Sequence, residues 1–300
     1  MILQETYTVP DFYIVGAGKA GTTSLWYYLG QHEGIYMTTD IAAKELGYFS
    51  PDYGIEALAD YSRYFEGAEE GQLIGESCHA YLTSPASAEW LRKDCPAGKI
   101  IIVLRNPYER IVSLYKWMAE AGYENSSFAG ALAREAREGD NPSAYDSPYF
   151  QPYYRNYLYV ASSLYAEQVK RYLDTFPAEQ VHIVWSEDLR KDTAATLAGV
   201  YRFLGLPQPQ RTQHLEKQNK SSHVRLASLQ MLLLRKIPRW LKKIRLWNYR
   251  FGPLLARLSS FNRKKSANYP LPPEAIARVA EDIERLEALT GRDLSHWKQR

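Results

Sequence analysis

Three hundred residues, 45% hydrophobic and 24% charged, match an ordinary globular domain with a large core, which excludes a disordered chain. No apolar run approaches the roughly 20 residues of a membrane span, and the N-terminus lacks a signal-peptide pattern, so one cytoplasmic domain over residues 1–300 is expected. Net charge is only +3 but uneven: residues 217–273 hold 14 Lys or Arg and no Asp or Glu, leaving 23 basic against 34 acidic residues elsewhere.

In chain order, Phe12-Tyr13-Ile14-Val15 reads as a buried strand, ended by the glycines of Gly16-Ala17-Gly18-Lys19-Ala20-Gly21 and followed by helical apolar spacing over 22–31. Leu73-Ile74-Gly75 and Ile100-Ile101-Ile102-Val103-Leu104 read as further short buried strands. Pro107 stands where a first helical turn tolerates proline, ahead of Ile111, Leu114, Tyr115 and Met118. Residues 154–173 and 194–204 are read as amphipathic helices flanking the strand Val181-His182-Ile183-Val184-Trp185. A last helix begins at Pro272-Pro273, carries Ile276, Val279, Ile283, Leu286 and Leu289, and stops at Gly291. This alternation predicts a mostly parallel sheet covered on both faces, whose ligands bind beyond the carboxyl ends of the strands. A nucleotide is therefore expected at the turns over 16–24 and 105–113.

The first of these turns is an anion cradle by composition, because glycines bend the backbone tightly and a helix N-terminus adds its positive dipole end. Gly16, Gly18 and Gly21 satisfy the dinucleotide pattern G-x-G-x-x-G, and Asp40 lies about 20 residues on, where a ribose-binding acid belongs. A lysine within the turn and the hydroxyls of Thr22, Thr23 and Ser24 suit a highly charged terminal phosphate or sulfate better than a pyrophosphate held by backbone. A Walker A loop needs its lysine directly after the final glycine, whereas Lys19 precedes Gly21 by two residues. Lys19-Ala20-Gly21-Thr22-Thr23-Ser24-Leu25 resembles the K-x-G-T-T-[ST]-L loop of sulfotransferases that use 3′-phosphoadenosine 5′-phosphosulfate (PAPS).

At the second turn, Arg105 at a strand end and Ser113 on the following helix can converge on a phosphate, one by guanidinium fork and one by hydroxyl. Arg105-Asn106-Pro107-Tyr108-Glu109-Arg110-Ile111-Val112-Ser113-Leu114-Tyr115 resembles the 3′-phosphate motif R-[ND]-P-x-x-R-x-x-S-x-[YW] of the same family. Further likenesses are to the heparan-sulfate type and its bacterial relatives: Lys44-Glu45-Leu46-Gly47-Tyr48-Phe49, Gly75-Glu76-Ser77-Cys78-His79-Ala80-Tyr81-Leu82, Glu187-Asp188-Leu189, and Leu289-Thr290-Gly291-Arg292-Asp293-Leu294-Ser295-His296-Trp297. In the second of these, His79 stands where the family has proline, Cys78 replaces a hydroxyl residue, and Ser77 occupies a position often lysine.

The resemblance implies a three-layer α/β/α fold related to P-loop NTPases and sulfuryl transfer from PAPS to an acceptor hydroxyl or amine. It places Gly18, Lys19, Ala20, Gly21, Thr22, Thr23, Ser24, Arg105 and Ser113 at the nucleotide. Lys19 would neutralise charge on the leaving oxygen and Glu45 would take the acceptor proton, with His79 as the rival base. No metal is expected, since lysine and arginine supply the positive charge, and Cys78 and Cys95 are assigned no role. Residues 217–221 fit a basic loop over the nucleotide or a solvated charge run. Residues 229–261, with Trp240, Trp247 and Phe251 among basic residues, fit a covering helix or a lid facing an anionic membrane or glycan. The tyrosines Tyr145, Tyr149, Tyr153, Tyr154, Tyr157 and Tyr159 are a candidate acceptor wall. The expected partners are PAPS and a carbohydrate, lipid-linked or small-molecule acceptor, without nucleic acid. The alternatives are a noncatalytic anion-binding module and, behind it, a Rossmann-type dinucleotide protein.

Overall fold

The computed structural model describes residues 7–38, 44–51, 54–121, 123–145, 154–210 and 269–298. Asp40, Tyr149, Tyr153 and nearly all of the basic stretch, including 217–221 and 229–261, lie outside the described residues. The chain divides into two compact units, one drawn from Met1–Arg110, Leu164–Asn219 and Ala280–Arg300, the other from Ile111–Ser163 and Lys220–Val279.

The first unit is built on five parallel strands: β1 (Phe12–Gly16), β2 (Ile35–Met37), β3 (Leu73–Ser77), β4 (Lys99–Leu104) and β5 (Val181–Trp185), in the spatial order β2-β3-β1-β4-β5. Apolar runs make β1 and β4 central, because a strand covered on both faces has no side for polar residues. Phe12, Tyr13, Ile14, Val15 and the five residues from Ile100 to Leu104 are fully buried, each large aliphatic side chain contributing about 1.5–3 kcal/mol through its removal from water. Helices α1 (Thr22–Leu29), α2 (Leu58–Ser62), α3 (Ala80–Thr83) and α4 (Ser87–Asp94) connect the first four strands, giving the expected α/β/α layers. The order excludes the dinucleotide alternative, in which β2 would neighbour β1; here β3 lies between them. The chain leaves β1 toward one edge of the sheet and returns past it to β4, so the carboxyl ends of β1 and β4 border the ligand crevice of such a sheet.

Helix α5 (Pro107–Glu120) begins as expected: Asn106 Oδ1 accepts the Tyr108 N–H at 3.0 Å and proline takes the first helical position. Helix α6 (Phe128–Glu138), which the sequence reading did not anticipate, belongs to the second unit and is capped by Ser127. The expected helix over 154–173 is a correction. Two short 3₁₀ turns, Tyr154–Tyr157 and Ala161–Ser163, precede α7 (Ala166–Thr175). Buried carboxylates capture the N–H groups a continuous helix would use: Glu135 takes those of Val160 and Ala161, and Asp282 those of Tyr165 and Ala166. Of the candidate acceptor wall, Tyr154 is half-buried and three others are packed inward. Tyr145, Tyr157 and Tyr159 are buried in the second unit, their hydroxyls donated to Gly139 O, Tyr123 O and Glu124 Oε2 at 2.8–2.9 Å.

After β5 come α8 (Ser186–Lys191) and α9 (Thr193–Leu204), the latter ending at Gly205 with φ 84°. Helix α10 (Pro273–Thr290) stops at Gly291, φ 67°, and a short α11 (Ser295–Lys298) follows. Two late sequence landmarks meet in the first unit: Arg292 grips Asp188 through two bonds of 2.8 and 3.0 Å, and the buried Trp297 donates Nε1–H to Glu187 at 3.0 Å. No described helix is long and apolar enough to cross a membrane.

Candidate active site

The turn after β1 takes a conformation that most residues resist. Gly16 and Gly21 have φ of 145° and 114°, and Lys19 itself sits at φ 68°. Space is as restrictive as torsion: a Cβ on Gly16 would lie 2.7 Å from Leu82 Cβ, and one on Gly18 would lie 3.2 Å from the His79 ring. The turn is tied to the sheet through Ala17 N–H and Val103 O at 2.7 Å, and to itself through Ala20 N–H and Ala17 O at 3.1 Å. Helix α1 then opens at Gly21 with no side chain capping it, so the positive end of its dipole is available to an anion. Thr22 is buried at the helix start, while Thr23 and Ser24 are half-buried.

The second turn braces the first. Arg110, only 1% exposed, donates Nε–H to the Gly18 carbonyl at 2.8 Å, and Arg105 donates from Nη1 to the Lys19 carbonyl at 3.3 Å. Arg105 also engages Glu109 through Nε and Nη2 at 2.9 and 2.8 Å, and its own carbonyl accepts the Tyr165 hydroxyl at 3.0 Å. Two segments almost ninety positions apart thus become one charged junction at the ends of β1 and β4. Ser113, half-buried on α5, belongs to the second unit.

Against the same junction lies a pair that the sequence offered as rivals. Glu45 Oε2 accepts both the backbone N–H of His79 and its ring Nδ1, each at 2.7 Å, while Oε1 is paired with the buried Lys44. Burial alone would raise the Glu45 carboxyl, but the positive charge of Lys44 and the hydrogen bonds of His79 outweigh it and hold the group well below the usual carboxylate range. His79 packs on Gly18, so the carboxylate, the imidazole and the anion loop share one corner of the first unit.

Residues 9–232 match the profile of a family described as Sulfotransferase domain. The chain belongs to that family. This sulfotransferase domain is similar to the membrane-associated sulfotransferase kil1 of Dictyostelium discoideum, 26% identical over 66% of this chain and 56% of that protein. It is likewise 26% identical to heparan sulfate glucosamine 3-O-sulfotransferase 5 of Homo sapiens, over 66% of this chain and 54% of the relative. For a bifunctional heparan sulfate N-deacetylase/N-sulfotransferase 1 of Caenorhabditis briggsae the figures are 25% identity, 73% of this chain and 25% of the relative. The chain therefore spans about half or less of the length of these curated relatives. A sulfotransferase crystal structure from Alicyclobacillus acidocaldarius superposes with a TM-score of 0.70 at 29% identity, covering 97% of this chain and all of the other.

Two residues of the candidate site carried no assigned role in the sequence. Arg110 is one: its only signal was a second arginine within the R-N-P-x-x-R turn. The other is Glu76, 2% exposed on β3, which accepts hydrogen bonds from Tyr61 at 2.6 Å and Tyr81 at 2.7 Å, with a further one from the Gly47 backbone. Burial raises its carboxyl from 4.5 to about 7 despite those three donors, and the charge on Glu45 adds to the rise. The only signal of Glu76 was its place in the Gly75 to Leu82 segment that resembles the family's.

Proposed function

We propose that the chain transfers a sulfuryl group from PAPS to a hydroxyl or amine of its acceptor, releasing adenosine 3′,5′-bisphosphate, with the whole of 1–300 serving that one reaction. The observation carrying this reading is the junction of Arg105 and Arg110 with the Lys19 and Gly18 carbonyls, next to the Glu45–His79 pair. A glycine turn too crowded for a Cβ, an uncapped helix start and two arginines together fit a nucleotide bearing an anionic group at each end. PAPS supplies the activated sulfuryl group; residues 18–24 would hold its 5′ side, and Arg105 its 3′-phosphate.

Sulfuryl transfer, like phosphoryl transfer, asks a protein to align donor and acceptor and to neutralise charge on the departing oxygen. Lys19, within the turn after β1, would meet that charge. An acceptor hydroxyl must lose its proton as the oxygen–sulfur bond forms, and the Glu45–His79 pair receives it. A carboxylate held low accepts a proton poorly alone. With Nδ1–H donated to Glu45, however, His79 Nε2 is the basic nitrogen, an orientation like that of the carboxylate–histidine couple in hydrolases. His79, where the family motif has proline, thus joins Glu45 rather than competing with it.

The heparan sulfate names among the relatives make a carbohydrate the first acceptor class to try, ahead of lipid-linked and small-molecule acceptors. A peripheral contact of the basic stretch with an anionic membrane belongs to the same reading, as does a cytoplasmic setting. The test is incubation with ³⁵S-labelled PAPS and a panel of glycans, glycolipids, phenols and amines. Transfer to one of them is expected, and loss of Lys19 to alanine should cut turnover by about 10²- to 10³-fold. No transfer to any acceptor, despite binding of adenosine 3′,5′-bisphosphate, would favour the noncatalytic module; a Lys19→Ala loss under about threefold would remove the lysine from the chemistry.

A further inference from the structure

Glu76 takes no part in the chemistry above, yet its surroundings are more elaborate than packing requires. Burying a carboxylate is unfavourable against an apolar side chain of similar size, so an arrangement that keeps one in place with three donors calls for a reason. Those donors are not spread at random. Gly47 N–H reaches Glu76 directly; Tyr81, whose hydroxyl binds Glu76 Oε1, accepts the Phe49 N–H at 3.3 Å. Ser87 Oγ completes the hold by donating to the Phe49 carbonyl at 2.6 Å, and the Phe49 ring packs edge-on against Tyr61 and Tyr81. Gly47 and Phe49 both lie in residues 44–49, the segment that carries Glu45. Strand β3 also leads directly to His79, so one strand sets both members of the pair.

We infer that Glu76 is a positioning residue for transfer: through Gly47 and Tyr81 it fixes residues 44–49 so that Glu45 meets His79. The inference rests on the Glu45–His79 pair being the proton acceptor of the proposed reaction. Tyr61 provides the internal comparison: its ring stacks on Tyr48 and meets Phe49 edge-on, contacts a phenylalanine keeps, but among the described residues its hydroxyl binds Glu76 Oε2 and no backbone of 44–49, whereas the Tyr81 hydroxyl links to both.

The test uses the full chain with Glu76→Gln, Tyr81→Phe and Tyr61→Phe. Steady-state transfer is measured with PAPS and whichever acceptor the wild type turns over, and adenosine 3′,5′-bisphosphate affinity is measured by calorimetry. Glu76→Gln and Tyr81→Phe should lower kcat by about 10-fold or more, with KM for PAPS and nucleotide affinity changed less than about threefold, the pattern of an interaction needed only in the transition state. Tyr61→Phe should lose less than about threefold. In parallel, ¹⁵N spectra of the His79 ring, which report its bond to Glu45, should move in the first two variants and hold in the third. A merely structural network predicts that the two tyrosine variants behave alike. Equal losses in both, or an unchanged kcat and unmoved His79 resonances in Tyr81→Phe, would overturn the inference even if Glu76→Gln failed to fold. Should the wild type transfer nothing, the reaction reading fails, and the His79 resonances still decide whether Glu76 sets the pair.

Discussion

Replacing Glu76 by glutamine should change how stability depends on pH, in a direction opposite to that of most carboxylates. In the folded chain burial raises this carboxyl from 4.5 to about 7. Below pH 4.5 the group is protonated in both folded and unfolded chains, and its burial imposes no penalty. Between pH 4.5 and 7 the unfolded chain releases the proton while the folded chain keeps it, so stability falls as pH rises; above pH 7 the loss is complete. Each tenfold in proton affinity corresponds to about 1.4 kcal/mol, which makes the total about 3 kcal/mol. Glutamine cannot ionise and is free of this loss. Urea denaturation of wild type and Glu76→Gln, followed by tryptophan fluorescence at several values between pH 4.5 and 8, should show the variant gaining about 2–3 kcal/mol relative to wild type as pH rises. Glu45 does not confuse the comparison, since its carboxyl is held low and its stabilisation is lost only in acid below the ordinary carboxylate range. A difference between the two proteins that stays flat within about 0.5 kcal/mol would refute the reasoning, because Glu76 would then ionise at the same pH folded and unfolded.

Two further outcomes follow from the junction. Glu45→Gln and His79→Gln should each slow single-turnover transfer by about 10²-fold or more, and the double variant should be little worse than the poorer single one, as for residues that act as a unit; additive losses would separate them. Arg110→Met leaves the Gly18 carbonyl without its charged donor, a bond of about 1.5–3 kcal/mol, so adenosine 3′,5′-bisphosphate affinity measured by calorimetry should weaken by about tenfold or more. Unchanged affinity would show that the turn holds its shape without that arginine.

Much of this site could be read along the chain because its parts are local. A strand, a glycine-rich turn and a helix within 12–29 need no distant partner to be recognised, and the same holds for Arg105 to Ser113. Residue type and spacing also determined four of the five strands, most plainly Ile100 to Leu104, but missed the three-residue β2, too short to show a periodicity. What failed was whatever depended on a partner far along the chain. The helix expected over 154–173 was broken because Glu135 and Asp282 took its backbone donors, and no periodicity within that window could reveal them.

The amino-acid sequence determined the two strand-to-helix turns at 16–24 and 105–113, the parallel α/β class and the membership of Lys19, Glu45 and Arg105 in one family's motifs, because each is written in neighbouring residues. Only the tertiary structure decided that Glu45 and His79 are partners, that Arg110 braces Gly18, and that Glu76 holds the segment bearing Glu45. These are pairings across 34, 92 and 29 positions. Hydrogen bonds of that kind exist once parallel strands have brought their carboxyl ends side by side, and a linear pattern carries no record of which ends those are.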